Sequence, residues 1–190
     1  MTVLRSATES DVSVMRDVER AAGEAFRSLG MDAVADDDPP PAVVLREYVA
    51  SGRAWVVDEG HGPAGYLLAD VVDGCAHVEQ VTVHPEHAGA RWGARLVDHL
   101  AERALRRGLP ALTLTTFRDV PWNGPYYLRL GFRWLPEEEL APGLRALRQR
   151  EREHGLDRWP RGCMRREVSP LGAGAPRETE DASTPGARGR

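Results

Sequence analysis

HVEQVTVHPEHAGARWGARLVDHL, residues 77–100, decides how this chain folds. In its first half His77, Glu79, Val81 and Val83 alternate with period two, so the segment reads as a strand with these side chains on one face, and Pro85 ends it. In its second half Trp92, Leu96, Val97, Leu100, Ala101, Ala104 and Leu105 recur at helical spacing, and Gly108 closes the stripe as a C′ residue. Between the two lie Ala88, Gly89, Ala90 and Arg91, a bend of small residues leading into a helix expected to begin near Ala90. The first N–H groups of a helix have no internal partner, and the macrodipole adds partial positive charge. A strand, a tight bend and a helix therefore make a cradle for a pyrophosphate, to which Arg91 and Arg95 add full charges. Glycine-containing bends that bind nothing are common, so the bend needs support from the rest of the chain.

Upstream, VLRSAT (3–8) reads as a strand. Thr8 followed by Asp11 resembles an N-cap with an acid near the third helical position, and Val14, Val18, Ala21, Ala22 and Ala25 carry that helix to about Ser28. GMDAVADDDPPPAVV (30–44) is expected to be a loop ending at Pro41, taken as a first helical residue, with a short helix from Val43 to Ala50. RAWVVDEGHGPAGYLLADVVDG (53–74) holds two apolar runs around a Gly- and Pro-containing turn, an antiparallel pair, and the strand entering the bend is the third in succession. Downstream, ALTLTTF (111–117) is a strand, Trp122 to Leu130 a short helix, and Gly131 and Phe132 open another strand. Leu140, Leu144 and Leu147 mark one more helix, and CMRREVS (163–169) is the last strand. Residues 171–190 are small, polar and rich in Gly and Pro, which predicts a disordered tail after one domain spanning 1–170.

Composition narrows the function. The 190 residues, 42% hydrophobic and 28% charged, suit one soluble core. No stretch approaches ~20 apolar residues and no signal peptide precedes the first strand, so the expectation is a cytoplasmic protein without a membrane partner. A net charge of -4 gives no reason to expect a nucleic-acid partner. All 25 cationic residues are Arg, which excludes lysine chemistry. Cys75 and Cys163 read as buried structural thiols; neither has a metal-like spacing partner, so no metal site is expected, and no G-x-S-x-G occurs.

The order of elements, together with V-T-V-H-P (81–85), A-G-A-R-W-G (88–93) and N-G-P-Y-Y-L-R-L-G-F (123–132), resembles the GNAT superfamily of acyl-CoA-dependent N-acetyltransferases over about residues 2–169. The resemblance implies an α/β (α+β) fold with a central mixed, mostly antiparallel sheet flanked by helices. It implies acetyl-CoA as acyl donor and an amine acceptor that attacks the thioester directly. The family's loop is written Arg or Gln, two free positions, Gly or Ala, one free position, Gly or Ala. Here these positions hold Ala88, Arg91 and Gly93, and the chain departs at the first two. Arg91 can replace close backbone approach by charge pairing with a phosphate.

Carried over residue by residue, the resemblance assigns the pantetheine arm and thioester carbonyl to the backbone of Val81, Thr82 and Val83. It assigns the pyrophosphate to Ala88, Gly89, Ala90, Arg91, Trp92, Gly93 and Ala94, and makes Asn123 either a helix cap or a cofactor contact. The reaction needs a base, for which Glu79 is the candidate, with an Arg ion pair as its structural alternative and His77 as a second base. It also needs an acid for the departing thiolate. Tyr127, four residues before Gly131, is the candidate acid, although Tyr126 and Tyr127 also fit as packing residues. Asp36, Asp37 and Asp38 could attract a cationic amine, and the Arg-rich segment after Pro142 fits a lid, an oligomer contact or an exposed face. A homodimer is compatible with the family. Three functions fit: an acetyl-CoA-dependent N-acetyltransferase, a transferase using another acyl-CoA, and a non-catalytic acyl-CoA-binding or interaction module.

Overall fold

Four strands pair as antiparallel neighbours in chain order: β1 (Val3–Ser6), β2 (Ala54–Asp58), β3 (Pro63–Val72) and β4 (Cys75–Val83). The turn between β3 and β4 is Asp73-Gly74, both at positive φ (50° and 74°), the conformation that a two-residue hairpin requires. β5 (Ala111–Phe117) lies parallel to β4, β7 (Arg161–Glu167) antiparallel to β5, and the two-residue β6 (Arg133–Trp134) forms the edge. The order β1-β2-β3-β4-β5-β7-β6 gives a mixed sheet with one parallel pair. The computed structural model describes residues 2–168, so the tail expected at 171–190 lies outside the described residues. Among the described residues no helix is long and apolar enough to cross a membrane.

Alternation along the strands sorts the helices onto two faces. On one face Leu96, Val97 and Leu100 of α4 (Trp92–Arg106) pack on Trp55, Leu67, Ala76, Val78, Leu112 and Leu114, joined by Tyr127 of α5 (Gly124–Arg129). On the other, Met15 and Val18 of α1 (Val12–Gly23) and Leu45 of α3 (Ala42–Ala50) cover Val56, Tyr66 and Leu68. α6 (Pro142–Glu153) sets Leu144 against Leu135, Cys163 and Val72. Its Glu151 reaches Thr115, which alternates with Leu114, so α6 lies opposite α4. Cys75 and Cys163 are buried free thiols, as expected.

Local differences from the sequence reading have identifiable causes. The expected 30–41 loop contains a single helical turn, α2 (Asp32–Ala35), because Met31 is buried with Phe117 and Val120 and Ala35 is buried beside it. Pro41 is the N-cap of α3 rather than its first helical residue. α4 begins at Trp92, not Ala90, because Arg91 adopts a left-handed conformation. Leu140 precedes α6, whose start is capped from the β3–β4 turn: Asp73 accepts the N–H groups of Gly143 and Leu144, both at 2.9 Å. Thr8 caps a 3-10 turn, Glu9–Asp11, that leads into α1, rather than α1 itself, whose N-cap is Asp11; the Thr8 N–H donates to Asp11 at 2.7 Å.

Candidate active site

β4 and β5 pair only at Ala76↔Leu112 and His77↔Thr113, after which they diverge. The cause lies on the other edge of β4. Leu68 pairs with Gln80 and Ala69 with Val78, leaving Glu79 as the extra residue of a β-bulge, which bends the strand and increases its local twist. From Val78 to Val83 the backbone groups that point away from β3 have no strand partner. The bulge also corrects the one-face reading: Val78 and Val81 both pack toward α4, whereas His77 points to the opposite face and meets Thr113 Oγ1 at 2.9 Å.

The diverging strand runs into the bend. Pro85–His87 forms a 3-10 turn, Gly89 has φ 86°, and Arg91 is the N-cap of α4 at φ 61°. Ala88 and Ala90 spend their N–H groups on Pro85 and His87 within the turn. The amides of Gly89, Arg91, Trp92 and Gly93 have no backbone acceptor among the described residues, and Arg91 and Arg95 are exposed beside them. The Tyr126 hydroxyl packs against the first turn of α4. That contact requires Gly93, since a Cβ there would stand 2.8 Å from the same hydroxyl.

The side chains near the strand divergence differ in how far they are committed. Thr82 is buried and donates to Glu19 at 2.7 Å, and Glu19 also accepts from Tyr66 and Gln80. Asp70 is held by Tyr48 and Arg53, and Glu151 by Thr115, Arg148 and Arg161. Glu79 makes no ion pair or side-chain hydrogen bond among the described residues, so the Arg pairing does not form; Arg150 acts on it only through space. Glu79 keeps access to solvent, yet desolvation by the surrounding protein raises its pKa, with Asp70 and Glu151 adding to the rise. His77 is fully enclosed, and burial lowers its pKa to about 4 against the pull of Asp70, Glu151 and Asp73.

The two tyrosines separate clearly. Tyr126 lies over the N-terminus of α4, and Tyr127 sits in the core between α4 and the β4–β5 divergence, edge-on to Phe132 and Tyr126. Burial pushes the Tyr127 phenol well up, with Tyr126 adding, so it stays protonated. Asn123 occupies the N-cap position of α5 without a side-chain capping bond. Asp36 is tied to Arg27 at 2.6 Å on the surface. The Arg-rich α6 is not a uniformly exposed face, since Arg148 is buried against Glu151 and Asp157. A cavity of about 380 Å³ lies elsewhere, lined by Val72, Cys75, Thr113, Leu144 and Arg165. A long ligand held along an open strand edge does not need an enclosed volume, so the strand divergence locates the site better than the cavity does.

A sequence model described as the acetyltransferase (GNAT) family matches residues 15–132. The chain belongs to the GNAT acetyltransferase family. Solved structures share the fold at low identity. The ribosomal-protein-S18-alanine N-acetyltransferase from Escherichia coli superposes with a TM-score of 0.63 at 16% identity, over 92% of this chain and 99% of that one. The PaiA N-acetyltransferase from Thermoplasma acidophilum, in complex with coenzyme A, gives 0.67 at 10% identity, over 88% and 99%. N-acetylglutamate synthase from Neisseria gonorrhoeae, complexed with coenzyme A and N-acetyl-glutamate, gives 0.66 at 16% identity over 90% of this chain, which spans only 36% of that longer protein. In this GNAT chain the sequence reading missed two contributors to the bend, Tyr126 and Glu59. Tyr126 was legible as a neighbour of the motif tyrosine. Glu59 had no local signal, because its contact with Trp92 joins positions 33 residues apart.

Proposed function

We propose that this protein transfers an acetyl group from acetyl-CoA to a primary amine of a small molecule or protein, with Glu79 as base and Tyr127 as acid. The observation that carries the reading is the continuous path from the unpaired edge of β4 to the unpartnered amides of Gly89, Arg91, Trp92 and Gly93. Those amides, with Arg91 and Arg95 beside them, fit a pyrophosphate, and the free edge of β4 from Val81 to Val83 fits an amide-bearing arm. Relatives of the same fold solved with coenzyme A support the same class of donor. Bound acyl-CoA supplies the thioester carbonyl that an amine attacks. Backbone N–H groups on the free edge of β4 donate to the carbonyl oxygen, Glu79 takes the proton the amine loses, directly or through water, and Tyr127 donates its phenolic proton to the departing sulfur. Among the described residues Glu79 is the carboxylate near the strand divergence left without a partner, and its raised pKa makes it a stronger base than an ordinary glutamate.

The reading is tested by the melting temperature with and without saturating acetyl-CoA, on the wild type and on Arg91→Ala, followed by kinetics. At a concentration ~100 times Kd the ligand adds ~2.7 kcal/mol, which raises the melting point by roughly 5–10 °C. The rise shrinks in Arg91→Ala. With an amine substrate, Glu79→Gln lowers kcat by about 10²–10⁴-fold with little change in KM, and Tyr127→Phe lowers kcat as well. Because only ionised Glu79 accepts a proton, wild-type activity falls as pH drops through a value above the ordinary 4.5. Absence of any ligand-induced shift would sink the donor assignment. A shift with unchanged kcat in both variants would move the catalytic roles to other groups, and a larger shift or faster turnover with propionyl- or succinyl-CoA would change the acyl group.

A further inference from the structure

The turn between β2 and β3 is outside the set of donor-binding residues named above, yet it touches both ends of the bend. Glu59 Oε1 accepts the Trp92 indole N–H at 3.1 Å, and Oε2 lies 2.7 Å from His87 Nδ1. His87 ends the 3-10 turn that follows β4 and Trp92 is the first residue of α4, so one carboxylate spans Ala88 to Arg91.

Glu59 is presented by a turn that other residues close. The neighbouring Asp58 pairs with Arg5 at 2.7 Å and accepts the N–H groups of Gly60 at 2.8 Å and Gly62 at 3.3 Å, while both glycines adopt φ values near 100° (97° and 108°) that other residues rarely reach. The hairpin is thus closed without Glu59, whose carboxylate is free to serve the bend. The bend needs outside support because a residue bearing a Cβ pays about 1–2 kcal/mol for the left-handed conformation Arg91 adopts. Trp92 in turn carries the Arg95 guanidinium 4.7 Å from its ring centroid, so fixing the indole also fixes a second cation beside the free amides.

We propose that Glu59 is a positioning residue for the donor's pyrophosphate, tying His87 and Trp92 to the β2–β3 turn so that the free amides of the bend converge and Arg95 is oriented. The inference rests on the acyl-CoA reading above. In Glu59→Ala, KM for acetyl-CoA and Kd for CoA rise about tenfold, while kcat at saturating donor stays within about twofold and the ligand-free melting temperature within about 3 °C. Glu59→Gln keeps an acceptor for Trp92 and falls between. Trp92→Phe, which keeps an aromatic ring and loses the N–H, weakens donor binding and makes a subsequent Glu59→Ala less costly than it is alone. Amide hydrogen exchange over residues 88–93 of the ligand-free protein accelerates in Glu59→Ala. Unchanged KM with unchanged exchange overturns the proposal, as does a fall in kcat and melting temperature with KM intact, which would mark a purely structural residue. Failure of the wild type to bind CoA would remove the donor reading and the pyrophosphate role together, and the exchange arm would then show whether Glu59 holds the bend at all.

Discussion

Glu79 and His77 are two residues apart on β4, one exposed and one enclosed, yet desolvation by the surrounding protein acts on them in opposite directions. It raises the carboxylate pKa of Glu79, favouring a group that can take up a proton, and lowers that of His77 to about 4, holding the imidazole neutral beside Thr113. The histidine therefore makes a stability prediction rather than a catalytic one. The unfolded chain binds a proton near pH 6.5 and the folded chain only near 4, so between these values the unfolded state holds more protons and stability falls as pH is lowered. At pH 5 the loss relative to pH 7 from this group is about 2 kcal/mol. Urea unfolding at the two pH values measures it: His77→Asn, which can still meet Thr113 and cannot titrate, starts less stable but loses about 2 kcal/mol less on acidification. Equal losses in both proteins would mean that the ring takes up a proton without unfolding. The burial of His77 was invisible in its sequence neighbourhood, where it looked like a partner of Glu79 on one face.

At the scale of elements, two helix starts are set by residues away from the usual caps. α4 begins behind Arg91, which holds the left-handed conformation that glycine adopts most readily, so helix-start rules placed the boundary too early, near Ala90. α6 is capped by Asp73 from a turn about seventy residues earlier, the spacing of its two bonds being 70 and 71 positions. Asp73→Ala removes both acceptors and costs about 1–2 kcal/mol, measured by denaturant unfolding. Asp73→Asn, retaining one carbonyl acceptor and tolerating positive φ, costs less than half of that. A loss confined to a few tenths of a kcal/mol in Asp73→Ala would show that water caps the helix equally well.

Across the whole molecule, α6 is held to the sheet by charge as much as by apolar contact. Glu151 is desolvated, but hydrogen bonds and charge from Arg161, together with Thr115 and Arg148, keep its pKa below the ordinary carboxylate value. The three charged side chains are 7–15% exposed, so removing the acid strands the Arg161 guanidinium in a poorly hydrated site and leaves Arg148 with Asp157 alone. Glu151→Ala is expected to cost about 3 kcal/mol, seen as a lower urea midpoint with an unchanged slope. A cost under about 1 kcal/mol would mean that water reaches both arginines.

The meander of β1 to β4, the long helix α4, the bend between strand and helix and the family motif were legible in the amino-acid sequence, because period-two alternation, helical spacing and turn residues are local signals that neighbouring positions impose on one another. The burial of Tyr127 rather than Tyr126 beneath the β4–β5 divergence, the bulge at Glu79, the insertion of β7 between β5 and β6, the cap from Asp73 and the reach of Glu59 were decided only by tertiary structure. Each depends on which distant segment packs against a residue, and the pairing of β4 with β5 that ends at His77 is what turns an ordinary strand and bend into a candidate site.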